Sequence, residues 1–461
     1  MLCSESALTY VRFEEQRCNG CALCVKVCPT GAIRIKEGRS IFLVDLCIGC
    51  GECIRVCPTG AVVAATSGLQ DIKQDEMPVA LVAPTLYSQF PGIPPEKTHQ
   101  GLLNMGFKHV VDMSGFIRLY QKAAEAFIET NRKTNQNPWP LISSVCPVVI
   151  RLIAFHFPDL LPNILPLLRP VTRMAREVYN YICKEHENIS DKVTFYYILP
   201  CPTKTLSAQL TRKTPLPYKE KAVGINEIYV QLSNAIKQVQ HIDLTSLSHK
   251  SFGNSASGDS LLWAMSGGEI AYMGIEKSMA VSGLKETLSY LEKIELGLLN
   301  HIEYIELRAC PEGCLGGPLT AIDKYMAKYT VQKNLLSSGI TRSTELSALL
   351  KQYEQTDFDM DLRPERLKRL FGVSKSPLSI ADLQKIETIL RTTEHRDCSL
   401  CGAPDCRAFA EDVVRGRASR NECVMIQLKQ KQGKRKKRHE NQRSRPSIRF
   451  NPECGEAGSG Q

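Results

Sequence analysis

The chain of 461 residues has no long uncharged apolar run. A membrane-spanning helix needs about 20 such residues, and the richest segment, 141–168, is interrupted by Arg151, His156 and Asp159. The first residues, MLCSESALTYVRFEE, contain acidic side chains and lack the apolar region of roughly 7–15 residues that a secretory signal peptide needs. We therefore expect a cytoplasmic protein without a transmembrane segment.

The body of the chain also has little excess charge. The formal net charge is +10, but residues 425–461 contain ten Lys and Arg against three Asp and Glu. The remaining residues carry about +3, which gives no reason to expect that the body binds nucleic acid. Residues 426–461, with the run KQKQGKRKKRHENQRSRPS, are predicted to be a basic disordered tail. Nucleic acid, an anionic membrane surface or an acidic partner could bind this tail, although most such runs are simply solvated.

Cysteine is abundant, with nineteen residues. In a reducing compartment, clustered cysteines usually bind metal rather than form disulfides. Residues 1–66 hold a duplicated cysteine motif, 77–340 mix strand-like runs with helical patterns, 341–390 read as a helical connector, and 391–425 hold another cysteine cluster. Cys3, Cys183 and Cys454 fall outside these motifs and receive no role.

The N-terminal duplication reads CNGCALCVKVCPTGAI and then CIGCGECIRVCPTGAV. This C-x2-C-x2-C-x3-C-P spacing is typical of a bacterial two-cluster ferredoxin, in which the fourth cysteine of each repeat ligates the other cluster. A zinc site is the alternative, but zinc prefers four ligands rather than eight in an interlocked pattern. We predict one [4Fe–4S] cluster on Cys18, Cys21, Cys24 and Cys57, and the other on Cys47, Cys50, Cys53 and Cys28.

Three further cysteine motifs, SSVCP, YYILPCPTK and YIELRACPEGCLGGPLT, follow in the central segment. KVTFYYILPC and HIEYIELRAC read as buried parallel strands that end at a cysteine, and MPVALVAPT reads as a third strand. Sites in open α/β sheets form beyond the carboxyl ends of the strands. An isolated buried cysteine is often inert, but these four, in loops marked by Pro or Gly, are better explained as one cluster site. They are Cys146, Cys201, Cys310 and Cys314.

The three motifs, in this order after a ferredoxin module, resemble the catalytic domain of [FeFe]-hydrogenases over roughly residues 15–335. The resemblance implies a two-lobed α/β domain with parallel or mixed sheets flanked by helices. An α+β ferredoxin-like module would precede it, and a small helical iron–sulfur domain would follow. It also implies that the four central cysteines hold a [4Fe–4S] cubane and that Cys314 bridges to a diiron centre with CO, cyanide and a dithiolate. Lys204 matches the lysine that hydrogen-bonds a cyanide, and Ala83, Pro84 and Thr85 match the loop that lines another diatomic ligand.

The departures from that family concern proton transfer. Fast hydrogenases carry a second cysteine where this chain has Val145, and their relay serine aligns with Leu165. The relay glutamates align with Ala123 and Ala126, although a slip of one residue would bring in Glu125. Two methionines that pack on the diiron centre are replaced by Leu199 and Arg308, and the third motif ends in GGPLT rather than Gly-Gly-Gly-Gln-Pro.

These changes resemble the sensory hydrogenases, which bind H2 or sense redox state slowly. We expect a hydrogenase-like iron–sulfur protein and, if it is an enzyme, an oxidoreductase of low turnover. Expected partners are a redox protein such as ferredoxin, H2 and protons, and a separate signalling protein. One alternative is an iron–sulfur electron-transfer or redox-responsive protein without the diiron subsite, and another is a fast hydrogenase with a rerouted proton path.

The last cysteine cluster reads CSLCGAPDCRAFAEDVVRGRASRNEC. The pattern predicts a helix with an apolar stripe that starts near Cys406, and this helix and its turn would carry Cys423 back to the cysteine loop. Zinc is the alternative metal for this site, but the segment resembles the small four-cysteine [4Fe–4S] domain of sensory hydrogenases and of corrinoid and electron-transport proteins. The predicted ligands are Cys398, Cys401, Cys406 and Cys423.

Overall fold

The computed structural model describes residues 10–69, 72, 75–186, 189, 192–203, 218–239, 258–338, 378–393 and 395–432. Within these ranges, no helix combines the length and apolar character that crossing a membrane requires. Cys3, Lys204, Cys454 and the predicted basic tail beyond residue 432 lie outside the described residues.

The described strands are β1 (Val11–Phe13), β2 (Ile33–Lys36), β3 (Arg39–Phe42), β4 (Val62–Ala64), β5 (Met77–Val82), β6 (His109–Asp112), β7 (Leu141–Ile142), β8 (Val193–Leu199), β9 (Lys219–Gly224), β10 (Ser278–Ser282) and β11 (Tyr304–Arg308). The described helices are α1 (Leu23–Val27), α2 (Glu52–Val56), α3 (Pro95–Asn104), α4 (Ser114–Thr134), α5 (Pro147–His156), α6 (Pro170–Glu185), α7 (Ile225–Lys237), α8 (Gly258–Leu262), α9 (Leu284–Glu295), α10 (Lys324–Ser338), α11 (Ile380–Thr393), α12 (Cys406–Val414) and α13 (424–432). Proline occupies the first position of α3, α5 and α6, where its fixed φ suits the helix and its missing N–H is not needed.

The sequence duplication becomes a structural duplication in the N-terminal module. Each repeat forms a strand, a cysteine loop, a one-turn helix and a second strand. Strand β1 pairs antiparallel with β4, and β2 pairs antiparallel with β3. Helices α1 and α2 follow Ala22 and Gly51, which have positive φ angles of 61° and 76°. This is the predicted α+β ferredoxin-like module.

The first lobe of the central domain is a four-stranded parallel sheet in the order β6-β5-β8-β9. Successive residues of a strand point to opposite faces, and every residue of β8 is buried. Phe195 and Tyr197 belong to the core with α4 and α6, whereas Tyr196 and Ile198 belong to the core with α3, α7 and α10. Helices therefore cover both faces of this sheet, as its continuous apolar strands predict.

The second lobe contains a three-stranded parallel sheet in the order β10-β11-β7. Its core includes residues of α5 and α9. The three predicted strands, β5, β8 and β11, are all present, but β11 lies in this second sheet while β5 and β8 are neighbours in the first. The predicted two-lobed α/β architecture is confirmed, and both sheets are parallel throughout their described strands.

The C-terminal unit is a small helical core. Ile386 and Leu390 of α11 pack with Phe409 and Ala410 of α12 and with Ile426 of α13. The apolar stripe predicted on a helix near Cys406 is therefore the buried face of α12. Most of the predicted connector lies outside the described residues, and its last part, α11, packs as part of this C-terminal core.

Candidate iron–sulfur sites

The first three cysteines of the N-terminal module lie together with the last one. Burial first, and then the nearby thiols of Cys21, Cys18 and Cys57, together raise the pKa of the Cys24 thiol to about 11. The Cys57 sulfur also accepts a hydrogen bond from the N–H of Ala61 at 3.2 Å. Cys57 comes from the second repeat, so the fold brings it across to the loop of the first.

The reciprocal crossing occurs at Cys28. Burial raises the pKa of Cys50 well above its usual value, and Cys28, Cys53 and Cys47 each raise it as well. The N–H of Ala32 donates to the Cys28 sulfur at 3.1 Å. Crowded thiols disfavour one another's ionised forms because thiolates repel, and cluster irons supply the positive charge that offsets this repulsion. Both sets therefore fit a cubane in donor type and in surroundings.

The four central cysteines also converge, although they are spread over 168 positions. Cys146 caps the start of α5 just after β7, Cys201 follows β8, and Cys310 follows β11. Burial raises the pKa of Cys310, nearby Arg55 lowers it, and the thiols of Cys201, Cys146 and Cys314 raise it. The carboxyl ends of strands from two different sheets thus bring the other three thiols close to the buried thiol of Cys310.

Glycines in the third motif allow this convergence. A Cβ at Gly317 would lie 2.4 Å from the carbonyl oxygen of Pro200, and one at Gly316 would lie 2.1 Å from the carbonyl oxygen of Pro311. The N–H of Leu319 donates to Pro200 at 2.9 Å. Glycine therefore lets the loop of Cys314 pack directly on the loop of Cys201.

Of the other residues that the resemblance assigns to this site, three are placed. Ala83 ends the extended segment of β5, and Pro84 and Thr85 begin a 3-10 turn, Pro84–Gln89, whose residues are all buried. Lys204 lies outside the described residues, so its relation to the four cysteines remains a prediction.

The positions that the resemblance assigns to proton relay form an apolar wall. Val145, Leu165 and Ala123 are all buried and belong to one hydrophobic cluster. Ala126 is half-buried. Glu125, the residue that an alignment slip would introduce, pairs with Lys122 at 2.6 Å and accepts from the N–H of Gly274 at 2.9 Å.

A charged network lies beside Cys314. The guanidinium of Arg308 pairs with Glu269 at 2.8 Å and with Glu306 at 3.0 Å, and its Nη1 is 3.9 Å from the Cys314 sulfur. Tyr304 and Ser143 also donate to Glu269. Burial raises the pKa of Glu269, and Arg308 opposes this shift.

Sequence reasoning identified Arg308 but not its two carboxylate partners. Glu306 lies in the apolar strand YIELR, where a charged residue was an available signal of a buried polar network. The surrounding sequence SGGEIAY does not indicate that Glu269 is buried or paired. Glu269 and Glu306 are 37 positions apart along the chain, so sequence spacing gives no sign that both pair with Arg308.

The second cysteine loop of the N-terminal module faces the central cysteines. Arg151, in α5, donates to the Tyr10 hydroxyl at 2.6 Å and to the Cys47 carbonyl at 2.7 Å. A Cβ at Gly51 would lie 2.5 Å from Pro318. Thr203 donates to the carbonyl of Gly49 at 2.7 Å. The loop that carries Cys47 and Cys50 therefore packs directly on the loops that carry the central thiols.

The C-terminal cysteines line one pocket, together with Phe409 and Met425. Burial raises the pKa of Cys401, and Cys423 and Cys398 also raise it. The N–H of Asp397 donates to the Cys406 sulfur at 3.4 Å. The pocket thus contains the four predicted ligands: Cys398, Cys401, Cys406 and Cys423.

In the part of the chain that the structure describes, no three His, Cys, Asp or Glu side chains converge as ligands of a single metal ion. A cubane makes a different demand, because each of its irons takes its own thiolate. Cys183, on α6 and half-buried, stands outside all four groups.

Three family models match the chain. They are the iron only hydrogenase large subunit, C-terminal domain, over residues 76–318, a 4Fe-4S dicluster domain over 17–62, and an Fe-S cluster model over 395–425. A search of the curated proteins finds no significant match.

Solved structures of [FeFe]-hydrogenases show a weaker likeness. A variant of apo [FeFe]-hydrogenase HydA1 from Chlamydomonas reinhardtii is 16% identical, with a TM-score of 0.45, and the match covers 62% of this chain and 91% of that one. A second variant of that protein is also 16% identical, with a TM-score of 0.46, and the match covers 62% of this chain and 93% of that one. The structure of [FeFe]-hydrogenase HydA(deltaEFG) is 16% identical, with a TM-score of 0.45, and the match covers 65% of this chain and 94% of that one. At likenesses this low, the assignment rests on the family models. The hydrogenase model alone matches more than half of the chain, and the chain therefore belongs to the iron-only hydrogenase large-subunit family, as an iron–sulfur protein with a ferredoxin-type domain.

Proposed function

We propose that this protein senses H2 or redox state and interconverts H2 with protons and electrons only slowly. The observation that carries the proposal is the apolar wall of Val145, Leu165 and Ala123, which share one packed core. General acid–base steps contribute about 10²–10⁴ in rate. Val, Leu and Ala side chains can neither donate nor accept a hydrogen bond and so cannot relay a proton, which makes turnover through this wall slow.

We infer four [4Fe–4S] clusters on sixteen of the cysteines. The ferredoxin-type sets are Cys18, Cys21, Cys24 and Cys57, and Cys47, Cys50, Cys53 and Cys28. The central set is Cys146, Cys201, Cys310 and Cys314, and the C-terminal set is Cys398, Cys401, Cys406 and Cys423. Such clusters supply one-electron transfer at potentials that hydrogen bonds to the sulfurs and burial adjust.

In the same proposal, Cys314 also ligates a diiron unit. Ala83, Pro84 and Thr85 would line it, and Lys204 would hydrogen-bond one of its ligands, as the hydrogenase resemblance implies. The buried 3-10 turn after β5 supports the lining role, because it keeps water from that edge of the site.

Electrons enter or leave through the ferredoxin-type module. The contacts of Arg151 with Tyr10 and with the Cys47 carbonyl support this route, because they hold the second cysteine loop against the central thiols. The proposed partners are a cytoplasmic redox protein such as ferredoxin, with H2 and protons as substrates, and a separate signalling protein.

A second candidate function is electron transfer or redox response without a diiron unit. Arg308 favours it. A buried guanidinium paired with two carboxylates lies 3.9 Å from the Cys314 sulfur, at a position where the hydrogenase resemblance places an apolar methionine. A charged network there changes both the space and the field around Cys314.

Infrared spectroscopy separates the two functions. The protein is purified anaerobically after maturation with the diiron-assembly machinery, and spectra are recorded under argon and then under H2. The proposal predicts bands in the CO and cyanide stretching region that shift under H2, with slow dye-linked H2 oxidation.

Two results decide against the proposal. An absence of such bands, with iron still at about sixteen atoms per chain, leaves the electron-transfer function. Shifting bands with turnover as fast as that of a hydrogenase with a complete relay show instead that protons bypass the apolar wall.

A further inference from the structure

The C-terminal unit lies directly against the ferredoxin-type module. Arg34 of β2 and Asp412 of α12 form an ion pair across a sequence separation of 378 residues. Their side chains are only 9% and 7% exposed. Lys36 pairs with Glu422 at 3.1 Å beside it. One face thus contributes two cations and the other two carboxylates.

The backbones also meet at this contact. The N–H of Ile35 donates to the carbonyl of Gly402 at 2.9 Å. Gly402 has a φ of +80°, and a Cβ there would lie 1.8 Å from the Ile35 carbonyl oxygen. No other residue type fits this approach without movement of the backbone. Gly402 directly follows Cys401, so the contact is one residue from a thiol of the C-terminal set.

Arg34 also contacts the turn that follows Cys28 in the ferredoxin-type module. Its Nη1 donates to the carbonyl of Gly31 at 2.6 Å, in the turn that follows Cys28. A Cβ placed on Gly31 would in turn lie 3.2 Å from Pro404, which stands between Cys401 and Cys406. The polypeptide between a ferredoxin-type thiol and the C-terminal thiols is therefore short and tightly packed.

A flexible tether does not need such an interface. Burying an ion pair has a desolvation cost for each ion, which the attraction offsets only in good geometry. Electron transfer does need it, because the rate falls steeply as the distance between two centres grows. A fixed orientation of the two units keeps that distance short.

We propose that this docking contact is an electron-transfer interface, which adds the C-terminal cluster to the relay as a branch from the ferredoxin-type clusters. One cluster loses an electron and the cluster across the contact gains it, in either direction. The proposal goes beyond the proposed H2 chemistry and holds whether or not a diiron unit is present.

The test uses the full chain with its clusters, prepared anaerobically. Asp412→Asn leaves the buried guanidinium of Arg34 without its counter-charge, and Arg34→Gln/Asp412→Asn removes both charges. Arg39→Glu is the control, because Arg39 lies on the same hairpin and pairs with Glu15 away from the contact. Hydrogen exchange at the Ile35 amide reports docking. The EPR signal of the reduced C-terminal cluster is identified as the one that disappears in Cys423→Ala. The microwave power that half-saturates this signal reports how close that cluster is to other reduced clusters.

We expect slow exchange at Ile35 in the parent protein and in the Arg39→Glu control. Asp412→Asn should accelerate this exchange at least tenfold and lower the half-saturation power several-fold, and the double variant should recover part of both. Rapid exchange in the parent protein contradicts docking. Unchanged half-saturation power in an Asp412→Asn protein whose contact has opened contradicts electron transfer through it. Unchanged exchange in Asp412→Asn also overturns the proposal, because the buried ion pair from which it is argued would then not hold the two units together.

Discussion

Replacing Arg308 by methionine should destabilise the central domain. Arg308 is 2% exposed and stands between Glu269 and Glu306, which are fully buried. Removing one partner of a buried ion pair typically costs about 3–5 kcal/mol, because the remaining charge stays buried without compensation. Ser143 and Tyr304 still donate to Glu269 in the variant, so we expect the lower part of this range. A domain of this size would then lose roughly 6–12 °C in Tm, measured by anaerobic calorimetry of the cluster-loaded chain.

The loss should depend on pH in a definite direction. Burial already raises the pKa of Glu269, and Arg308 lowers it, so removal of Arg308 raises this pKa further. A carboxyl group whose pKa is higher in the folded state takes up a proton on folding, and stability then falls as pH rises through that interval. The penalty of Arg308→Met should therefore be larger at pH 8 than at pH 5.

Arg132 provides a matched control on the surface. It also pairs with two carboxylates, Glu303 at 2.7 Å and Glu129 at 3.0 Å, but its side chain is 38% exposed. Exposed pairs are worth about 0–1 kcal/mol, so Arg132→Met should lower Tm only slightly. The reasoning is refuted if Arg308→Met is as mild as this control, or if adding Glu306→Gln does not restore part of the loss.

Three further outcomes are expected. Val145→Cys alone should leave dye-linked H2 oxidation slow, because Leu165 and Ala123 still interrupt the proton relay; a tenfold or larger rise would contradict this. Gly402→Ala should open the C-terminal unit to limited proteolysis, whereas Gly416→Ala, which also has positive φ but no heavy atom within 4 Å of its Cβ position, should be milder; equal effects would refute the steric argument. Cys423→Ala should lower iron by about four atoms per chain, and retention of the full iron content in that variant would contradict the assignment of Cys423 as a cluster ligand.

The cysteine spacing was sufficient to predict the N-terminal module, including its two-fold repeat. Each loop of three thiols is encoded by neighbouring residues, so local sequence carries most of the information. The strands ending near Ala83, Cys201 and Cys310 were equally visible, because β-branched and aromatic runs of five to seven residues are typical of buried strands. The resemblance to hydrogenases rested on the order of these segments, and the family model over residues 76–318 agrees with it.

Sequence reasoning did not show how the strands divide between sheets. β5, β8 and β11 look alike in sequence, but pairing depends on which faces the helices cover, and β11 pairs with β7 and β10 in a separate lobe. Strand β7 has only two residues, Leu141 and Ile142, which is too short for its pattern to be recognised. The same holds for the C-terminal unit, whose core recruits α11 from the predicted connector.

The sequence by itself identified the residues to which the proposed chemistry is assigned: the thiols, their loops, and the apolar replacements at Val145, Leu165 and Ala123. Only the tertiary structure decided how these residues act on one another. It packed the three replacements into one core, surrounded Arg308 with two buried carboxylates, and set Arg34 against Asp412 across most of the chain. The physical reason is that covalent spacing encodes contacts within a loop, whereas burial and charge pairing between distant segments depend on how whole elements pack.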